Sequence, residues 1–303
     1  MYRCVVYGTQ IESDQPLFSD PYSGPLTITS RAALKLLKCP GITHFQGLDI
    51  GTSFQSSHGR ELILYSDREF AQSIKGQRWS FNVKDVVSFY WVSGQRTIYY
   101  EIQNEANKDL LTFWFVHIFL PIYFTLEEIY DFLHAGAVEI DEKPVLFIAP
   151  SMSGKSTLTD YFIKQDHGLI SDDKVPSYIE NDQFFAVPSH PYHRPYRRFE
   201  DLGYRVDKQF GHVRPIHAIY ALGRDDGTAK IEITEIVGFK KFETLLPNYL
   251  FSFNYLRAQR LKYLAELVSK IPIYSVTRPW DLDHLADVYH SIVHHSRQLA
   301  DAN

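Results

Sequence analysis

Residues 145–157 read VLFIAPSMSGKST and decide the fold of the second half of the chain. The apolar run Val145–Ala149 predicts a buried strand. The polar residues after it predict a loop, and a helix is expected from Ser156 to about Gln165. A strand that leads through a short loop into a helix is typical of an anion-binding turn, because backbone N–H groups and the helix N-terminus face the same point.

Short apolar runs on either side of this stretch predict neighbouring strands. Gly136–Ile140 is joined to it through the turn residues 141–144, so a hairpin is expected. Leu169–Ser171 predicts a strand after the helix, which completes a βαβ unit of the α/β class. Further strands expected to extend the same sheet are Gln183–Val187, Ile216–Leu222, Ile231–Ile236 and Ile273–Val276. The helices expected to cover the sheet are Tyr255–Lys270, with Leu256, Leu261, Leu264, Leu267 and Val268 along its apolar face, and Leu282–Leu299.

The loop resembles the phosphate-binding pattern G-x-x-x-x-G-K-[ST]. Gly154 would let the main chain approach a ligand closely, Lys155 can bridge β- and γ-phosphates, and the Ser156 hydroxyl can coordinate Mg²⁺. The alternative is a strand-to-helix turn whose lysine faces solvent. The residues predicted to bind nucleotide are Ser151, Met152, Ser153, Gly154, Lys155, Ser156 and Thr157.

Two positions of the loop depart from the pattern. Ala149 occupies the first glycine position, and Met152 stands where many such loops have another glycine. A left-handed backbone at either residue would be strained, because a side chain then crowds the main chain. The departures weaken the expected affinity for nucleotide.

Two adjacent carboxylates, Asp172 and Asp173, follow the strand predicted over Leu169–Ser171. Neighbouring side chains on an extended segment point to opposite faces, so one carboxylate could hold a metal and the other a substrate hydroxyl. A carboxylate within hydrogen-bond reach can accept the proton of a serine hydroxyl as the bond to phosphorus forms. The alternative for this pair is a solvated acidic turn or a helix N-cap.

The stretch from His134 through Gly154-Lys155-Ser156 to Asp173 resembles the catalytic domain of HPr kinase/phosphorylase and its relatives. The resemblance is clear over residues 134–175 and faint through residue 303. It implies catalytic roles for His134, Lys155 and Asp172, with Asp172 as the acid/base that faces the accepting serine. It implies that Ser156 and Asp173 hold Mg²⁺. A structural role for His134 remains the alternative.

The rest of the chain departs from true HPr kinases. The Arg-Gly signature associated with the reverse, phosphorolysis reaction has no clear counterpart near Gly211–Pro215, so phosphorylase activity is not expected. The whole chain is most similar to the kinases that phosphorylate the C-terminal serine of lasso-peptide precursors. This resemblance implies ATP and Mg²⁺ as cofactors, a peptide or protein with an accepting serine as substrate, and a homo-oligomer.

An arginine cluster, Arg194, Arg197 and Arg198, follows the acidic pair and lies close to His190 and His193. Guanidinium groups suit phosphates or a peptide carboxylate because they donate hydrogen bonds in a planar fork. The cluster is therefore a candidate clamp for substrate or phosphate. The alternative is a solvated connector that its prolines make rigid.

The chain is predicted to contain two domains, a β-rich domain over residues 1–125 that could grip the substrate and a P-loop catalytic domain over residues 126–303. Within the first, Arg31–Lys38 predicts a short helix, and Val86–Val92 with Thr97–Ile102 predicts a hairpin. At the boundary, Thr125 and Glu128 form a capping box that predicts a helix through Phe132.

The composition is that of an ordinary globular protein of 303 residues. Its 31 basic and 36 acidic residues give a net charge of −5, which provides no general attraction for nucleic acid or anionic membranes. Two cysteines are too few for a disulfide framework. The apolar segment Phe113–Phe124, interrupted by His117 and Pro121, is expected to be core, because a membrane helix needs about 20 residues. The opening residues lack the pattern of a secretory signal, so a cytoplasmic location is expected.

Together these features predict an ATP- and Mg²⁺-dependent kinase that phosphorylates a serine hydroxyl of a peptide. Two alternatives stay open at this point. The same site could phosphorylate a small molecule such as free serine, or the substituted loop could bind nucleotide without turning it over.

Overall fold

The computed structural model describes residues 1–18, 33–41, 45–55, 59–70, 75–195, 198–209, 211–224, 230–251 and 253–301. It shows a mixed α/β protein, which confirms the α/β class that the sequence predicts. The chain divides into two compact units. The first comprises Met1–Ile129 with Arg197–Leu202 and Asn254–Leu256, and the second comprises Tyr130–Tyr196, Gly203–Phe253 and Arg257–Asn303.

The first unit is built on an eight-stranded sheet in the order β1-β2-β3-β8-β7-β6-β5-β4. Its neighbouring strands are antiparallel except that β3 is parallel to both β2 and β8. The hairpin predicted from residues 86–102 is confirmed. The strands are β1 (Tyr2–Val6), β2 (Thr9–Ser13), β3 (Leu34–Lys38), β4 (Ile50–Gln55), β5 (Glu61–Ser66), β6 (Arg78–Val83), β7 (Val87–Val92) and β8 (Thr97–Ile102).

The helix predicted over Arg31–Lys38 is wrong, because Leu34–Lys38 is strand β3. Residues 31 and 32 lie outside the described residues. Leu34 and Leu36 are buried while Lys35 between them is exposed, which is the two-residue period of a strand. Pairing with β2 and β8 satisfies the backbone on both sides, and this tertiary contact outweighs the helix propensity of the segment.

The apolar segment Phe113–Phe124 of the first unit lies within a helix. The helix spans Glu105–Leu126, 22 residues, and by length and composition it could cross a membrane. Most of it is buried instead, and the ring of Phe119 stacks on Phe89 at 4.4 Å between centroids, which confirms the assignment to the core. The helix consists of a 3₁₀ turn (Glu105–Leu110), α1 (Leu111–Phe113), a π-helical segment (Trp114–Phe119) and α2 (Leu120–Leu126).

Pro121 does not stop this helix, because the π-helical segment directly precedes it. The N–H of Leu120 donates to the carbonyl of Phe115, five residues back. Proline has no N–H and crowds the carbonyl four residues before it, and a widened turn accommodates both effects. The proline therefore interrupts the helix less than its residue type suggests.

The capping box predicted at Thr125 and Glu128 is also wrong. Thr125 lies in the last turn of α2, where its hydroxyl donates to the carbonyl of Pro121 at 2.9 Å. Glu128 has a φ of 53°, which ends the helical chain path. The residues expected to continue the helix form strand β9 (Asp131–Leu133) instead.

The second unit contains three sheets. A six-stranded sheet has the order β12-β10-β11-β18-β20-β19, a four-stranded sheet the order β17-β14-β13-β9, and β15 pairs with β16. The strands after β9 are β10 (Ala135–Ile140), β11 (Lys143–Ile148), β12 (Leu169–Ser171), β13 (Val175–Glu180), β14 (Gln183–Ala186), β15 (Tyr192–His193), β16 (Tyr204–Arg205), β17 (Arg214–Pro215), β18 (Ala218–Leu222), β19 (Glu232–Glu235) and β20 (Ile273–Thr277). The helices are α3 (Lys155–Lys164), α4 (Phe239–Leu245), α5 (Arg257–Lys270) and α6 (Leu285–Asp301), with a 3₁₀ turn at Leu246–Asn248. The 3₁₀ turn at Asn254–Leu256 belongs to the first unit.

The predicted hairpin and βαβ unit are confirmed, with one addition. Strands β10 and β11 pair around Asp141 and Glu142, which both have positive φ, as a two-residue hairpin turn requires. Strand β10 is antiparallel to β11 and to β12, so it lies between them and they run in the same direction. The loops that follow β11 and β12 therefore leave the sheet at the same edge.

The prediction that Gln183–Val187 extends this sheet is wrong. Strand β14 pairs with β13 and β17 in the separate four-stranded sheet. A short apolar run carries no information about its pairing partner, so the sequence could not separate the two sheets.

Helices cover both faces of the six-stranded sheet, as predicted. On one face α5 buries Leu264 and Leu267 against the sheet. On the other face α3 buries Leu158 and Phe162 beside the α6 residues of the same apolar cluster. Each fully buried side chain of this size contributes about 1.5–3 kcal/mol. Leu261, expected on the buried face of α5, is instead exposed.

Candidate functional site

The loop between β11 and α3 turns at Gly154, whose φ is +75°. A Cβ atom on this residue would lie 2.8 Å from Nη2 of Arg278, so the position requires glycine for both its backbone angle and the space beside it. Arg278 Nη2 donates to the carbonyl of Ser153 at 2.8 Å and holds the end of the loop. The N–H of Leu158 bonds to the carbonyl of Gly154 at 3.0 Å, which begins the helix there.

Met152 adopts the left-handed backbone that the sequence identified as strained. Its φ is 64°, and its side chain is 91% exposed. A non-glycine residue in this region costs about 1 kcal/mol, and an exposed side chain returns little of that through packing. The loop therefore holds a conformation that its own sequence disfavours.

The first turn of α3 carries the three residues predicted for phosphate and metal. Lys155 is buried, Ser156 is half-buried and Thr157 is exposed. The helix packs closely on β10 because Gly136 leaves room for it, since a Cβ there would lie 2.3 Å from Oγ1 of Thr159. This close packing fixes the direction in which the helix N-terminus points.

Asp172 is buried at the end of β12, with its two carboxylate oxygens in different surroundings. Oδ2 accepts the backbone N–H of Arg194 at 2.7 Å and lies 2.9 Å from Nδ1 of His193. Oδ1 has no hydrogen-bond partner within the described part of the chain. Burial raises the pKa of Asp172, but the close contact and charge of His193 and the hydrogen bond from the Arg194 N–H outweigh it and hold the pKa below its ordinary value. The group is therefore a carboxylate with one oxygen held and the other buried without a hydrogen-bond partner among the described residues.

His193 is the important residue that sequence reasoning missed as a partner of Asp172. It is completely buried on β15, and its Nε2 lies 3.8 Å from Oδ1 of Asp160 on α3. The hydroxyl of Tyr204 on β16 donates to the same Asp160 oxygen at 2.5 Å. The imidazole therefore lies between two carboxylates. The histidine was visible in the stretch from His190 to Arg198, but nothing in the sequence indicated which acid it faces.

Asp173 does not continue the strand, so the expected placement of the two aspartates on opposite faces of an extended segment is wrong. Its φ is 66°, and the chain turns there. Its Oδ1 lies 3.5 Å from Nδ1 of His134, and its Oδ2 lies 3.2 Å from Nζ of Lys174. This contact brings together His134 and Asp173, which are the first and last of the predicted catalytic and metal-binding residues along the chain.

Lys174 is a second residue that the sequence did not single out. It is buried beside Asp173, and the N–H of Lys174 donates to the carbonyl of Asp172 at 2.8 Å. Burial lowers the pKa of Lys174, and the attraction of Asp173 offsets this only in part. The side chain of Lys174 is therefore a buried cation in direct contact with the carboxylate of Asp173.

His134 connects the acidic pair to a cleft of about 890 Å³. The backbone N–H of His134 donates to the carbonyl of Asn248 at 2.6 Å, which fixes the residue before β10. The first half of the loop, Ala149 to Ser151, lines the same cleft. Other lining residues come from the ends of β18 and β20 and from α4, namely Leu222, Ser275, Lys240 and Glu243.

The predicted arginine clamp is only partly assembled. Arg194 is buried next to Asp172, so for this residue the solvated-connector alternative is wrong. Arg198 is exposed and belongs to the first unit, and Arg197 lies outside the described residues. Burial lowers the pKa of His190 to about 4, helped by the positive charges of Lys174 and Arg194. The buried cations beside His190 are therefore Lys174 and Arg194, and His190 itself is neutral at neutral pH.

A metal at this site would depend on oxygen ligands. The described residues contain no cluster of three or more histidine, cysteine, aspartate or glutamate side chains that could hold an ion alone. Mg²⁺ in nucleotide sites is bound by one or two protein oxygens, with phosphate oxygens and waters supplying the rest. The hydroxyl of Ser156 and the carboxylate of Asp173 fit that chemistry.

No protein-family model matches the chain, and no curated protein matches it. Among solved structures, the chain is similar to the HPr(Ser) kinase/phosphatase from Coxiella burnetii, with 16% identity and a TM-score of 0.36. The similarity covers 56% of this chain and 98% of that chain. The function proposed below therefore rests on the geometry of the site.

Proposed function

We propose that this protein is a phosphotransferase that moves the γ-phosphoryl group of ATP, with Mg²⁺, to a serine hydroxyl. The observation that supports this most directly is the carboxylate of Asp172. It is buried and charged, one of its oxygens is held, and the other has no partner among the described side chains and backbone groups. It follows β12 at the sheet edge where the loop to α3 follows β11.

Each group has a task in such a reaction. The serine oxygen attacks the γ-phosphorus, the bond from phosphorus to the leaving ADP oxygen breaks, and the serine proton passes to Oδ1 of Asp172. Lys155 and the N-terminus of α3 face the phosphates and offset their negative charge. Arg194, buried beside Asp172, is placed to act on the same charge.

The metal has a place in the same arrangement. Ser156 and Asp173 would hold Mg²⁺ together with phosphate oxygens, and the ion would draw charge from the transferring phosphoryl group. His134, 3.5 Å from Asp173, would orient that carboxylate.

The acceptor would enter through the cleft of about 890 Å³, which His134 and the first half of the loop line. Lys240 supplies a cation in the cleft. Glu243 also lines the cleft, and its Oε2 lies 3.6 Å from Nζ of Lys240. A cation is suited to the terminal carboxylate of a peptide. The specific acceptor that we propose, the C-terminal serine of a lasso-peptide precursor, rests on the resemblance of the whole chain to the kinases of such precursors.

The volume of the cleft also favours a second candidate function, a kinase for a small hydroxyl metabolite such as free serine. Sites for whole small molecules measure about 300–1,000 Å³, and this cleft lies within that range. Both candidates use the same residues and differ only in the acceptor.

The test is to incubate the protein with labelled ATP, Mg²⁺ and a panel of acceptors. The panel contains serine-ended peptides, the same peptides ending in alanine, peptides with an internal serine, and free serine. Label on serine-ended peptides alone supports the peptide kinase, and label on free serine alone supports the second candidate. If nucleotide binds and no acceptor is labelled, both kinase proposals fail and a nucleotide-responsive binding protein remains.

A further inference from the structure

A second, smaller pocket lies against the other end of the loop. It measures about 190 Å³ and is lined by Gly154, Thr157, Arg278, Trp280, Asp281, Leu282 and Leu285. The large cleft is lined by the first half of the loop, whereas this pocket is lined by its last residue and by the first turn of α3. The pocket is smaller than the roughly 300–1,000 Å³ of a site for a whole ligand, so it fits one part of a larger molecule.

The indole ring of Trp280 lines this pocket, and the guanidinium carbon of Arg224 lies 5.3 Å from the centre of the ring. The ring is 40% exposed, whereas Trp79, Trp91 and Trp114 are completely buried. Its edge would lie 3.5 Å from a Cβ at Gly154, so the ring lies directly against the loop. Exposing so large an apolar ring has a cost in water, and burying it under a flat ligand would recover that cost.

Arg278 connects the ring to the loop. Its guanidinium carbon lies 5.2 Å from the centre of the Trp280 ring, and its Nη2 donates to the carbonyl of Ser153. The side chain is only 5% exposed, and its Nε has no acceptor among the residues that the structure places. Burial without an ion pair is unfavourable for a cation, and it lowers the pKa of Arg278. The wall of the pocket therefore contains a buried cation beside the loop.

We propose that this pocket binds the base of the nucleotide. The aromatic base would stack on the indole ring of Trp280, and Arg278 would hold that indole ring against the loop. The proposal rests on the proposed function, because that function places a triphosphate over the loop. Stacking of a base on an aromatic side chain contributes about 1–3 kcal/mol and needs no base-specific hydrogen bond. Thr157, exposed on the rim, gains a role as a polar contact for the nucleotide.

The test separates the base from the phosphates. Titration calorimetry would measure Kd for ATP and for inorganic triphosphate with the wild-type protein, Trp280→Ala and Trp280→Phe. We expect Trp280→Ala to weaken ATP binding by about 5- to 150-fold, which corresponds to the stacking energy, and to leave triphosphate binding unchanged. Trp280→Phe keeps an aromatic face and should retain most of the affinity for ATP.

A matched control is Leu261→Ala, which removes a side chain of similar exposure, 41%, from helix α5. It should change neither Kd. Unfolding midpoints of all variants would show that none acts by disturbing the fold. Quenching of exposed tryptophan fluorescence by ATP, absent in Trp280→Phe, would give a second readout.

The possible failures are distinguishable. If Trp280→Ala binds ATP as the wild type does, or loses ATP and triphosphate equally, the base pocket is refuted while the phosphate site stands. If the wild type binds neither ATP nor triphosphate, the proposed function fails together with the pocket.

Discussion

Nδ1 of His193 lies 2.9 Å from Oδ2 of Asp172, and both side chains are buried. The other ring nitrogen faces Asp160 on α3 at 3.8 Å. The strand pair β15 and β16 carries the histidine to this position, since His193 pairs with Tyr204 in register. The contact restrains one oxygen of Asp172, while the other has no hydrogen-bond partner among the described residues, and a proton acceptor needs such an oxygen.

The first prediction concerns His193 as a positioning residue. His193→Ala should lower kcat for phosphoryl transfer by about 10- to 100-fold, because small displacements of a reacting group are costly. KM for ATP should change little. The pKa of Asp172 should rise, since burial would remain without the contact that offsets it, so the acidic limb of the pH–rate profile should move to higher pH.

His193→Gln is the matched control for that change, since its amide can still donate to a carboxylate. It should restore part of the rate and of the pH profile. Equal loss in both variants, with an unchanged profile, would indicate a structural role only.

The second prediction is a pH dependence of stability from His190. Its pKa is about 4 in the folded protein and near 6.5 when unfolded, so between these values the unfolded chain binds more protons. The free energy of unfolding should therefore fall as the pH drops from about 6.5 to 4, with a contribution of about 3 kcal/mol from this group. Urea denaturation at several pH values would measure the slope.

His190→Gln should remove that contribution and flatten the curve in the same pH window. The comparison uses the slope of the free energy of unfolding against pH for each protein. This slope does not depend on the contacts that the substitution removes at all pH values. Parallel curves for the two proteins would show that His190 does not titrate in this way.

The third prediction concerns the strained residue Met152. Met152→Gly should raise the free energy of unfolding by about 1 kcal/mol, because glycine adopts a φ of 64° without strain. Met152→Ala retains a Cβ and should change stability by less than about half as much. Denaturation midpoints would compare them, and an equal gain in both variants would assign the effect to the exposed side chain rather than to the backbone.

The sequence predicted the parts of the site that depend on patterns among residues close together in the chain. The loop, helix α3, the β10–β11 hairpin and strand β12 follow from apolar runs, turn residues and one glycine, all of which act over a few residues. It could not predict that Leu34–Lys38 is a strand, because that segment is a strand only through its neighbours β2 and β8.

The same limit explains what was missed within the site. Asp172 and His193 are 21 positions apart along the chain, and only the fold of β15 and β16 brings them together. Lys174 reads as an ordinary surface lysine until β12 and β13 bury it. Local patterns predicted where the chemistry lies, but the partners that tune it are tertiary contacts.

The most direct test of the central claim is phosphoryl transfer by Asp172→Asn, measured together with its Kd for ATP. Asp160→Asn, which alters the carboxylate on the other side of His193, is the matched control. We expect a loss of transfer of about 10²- to 10⁴-fold in Asp172→Asn with ATP bound as in the wild type, and a smaller loss in the control. Transfer at the wild-type rate in Asp172→Asn would contradict the assignment of this residue as the proton acceptor.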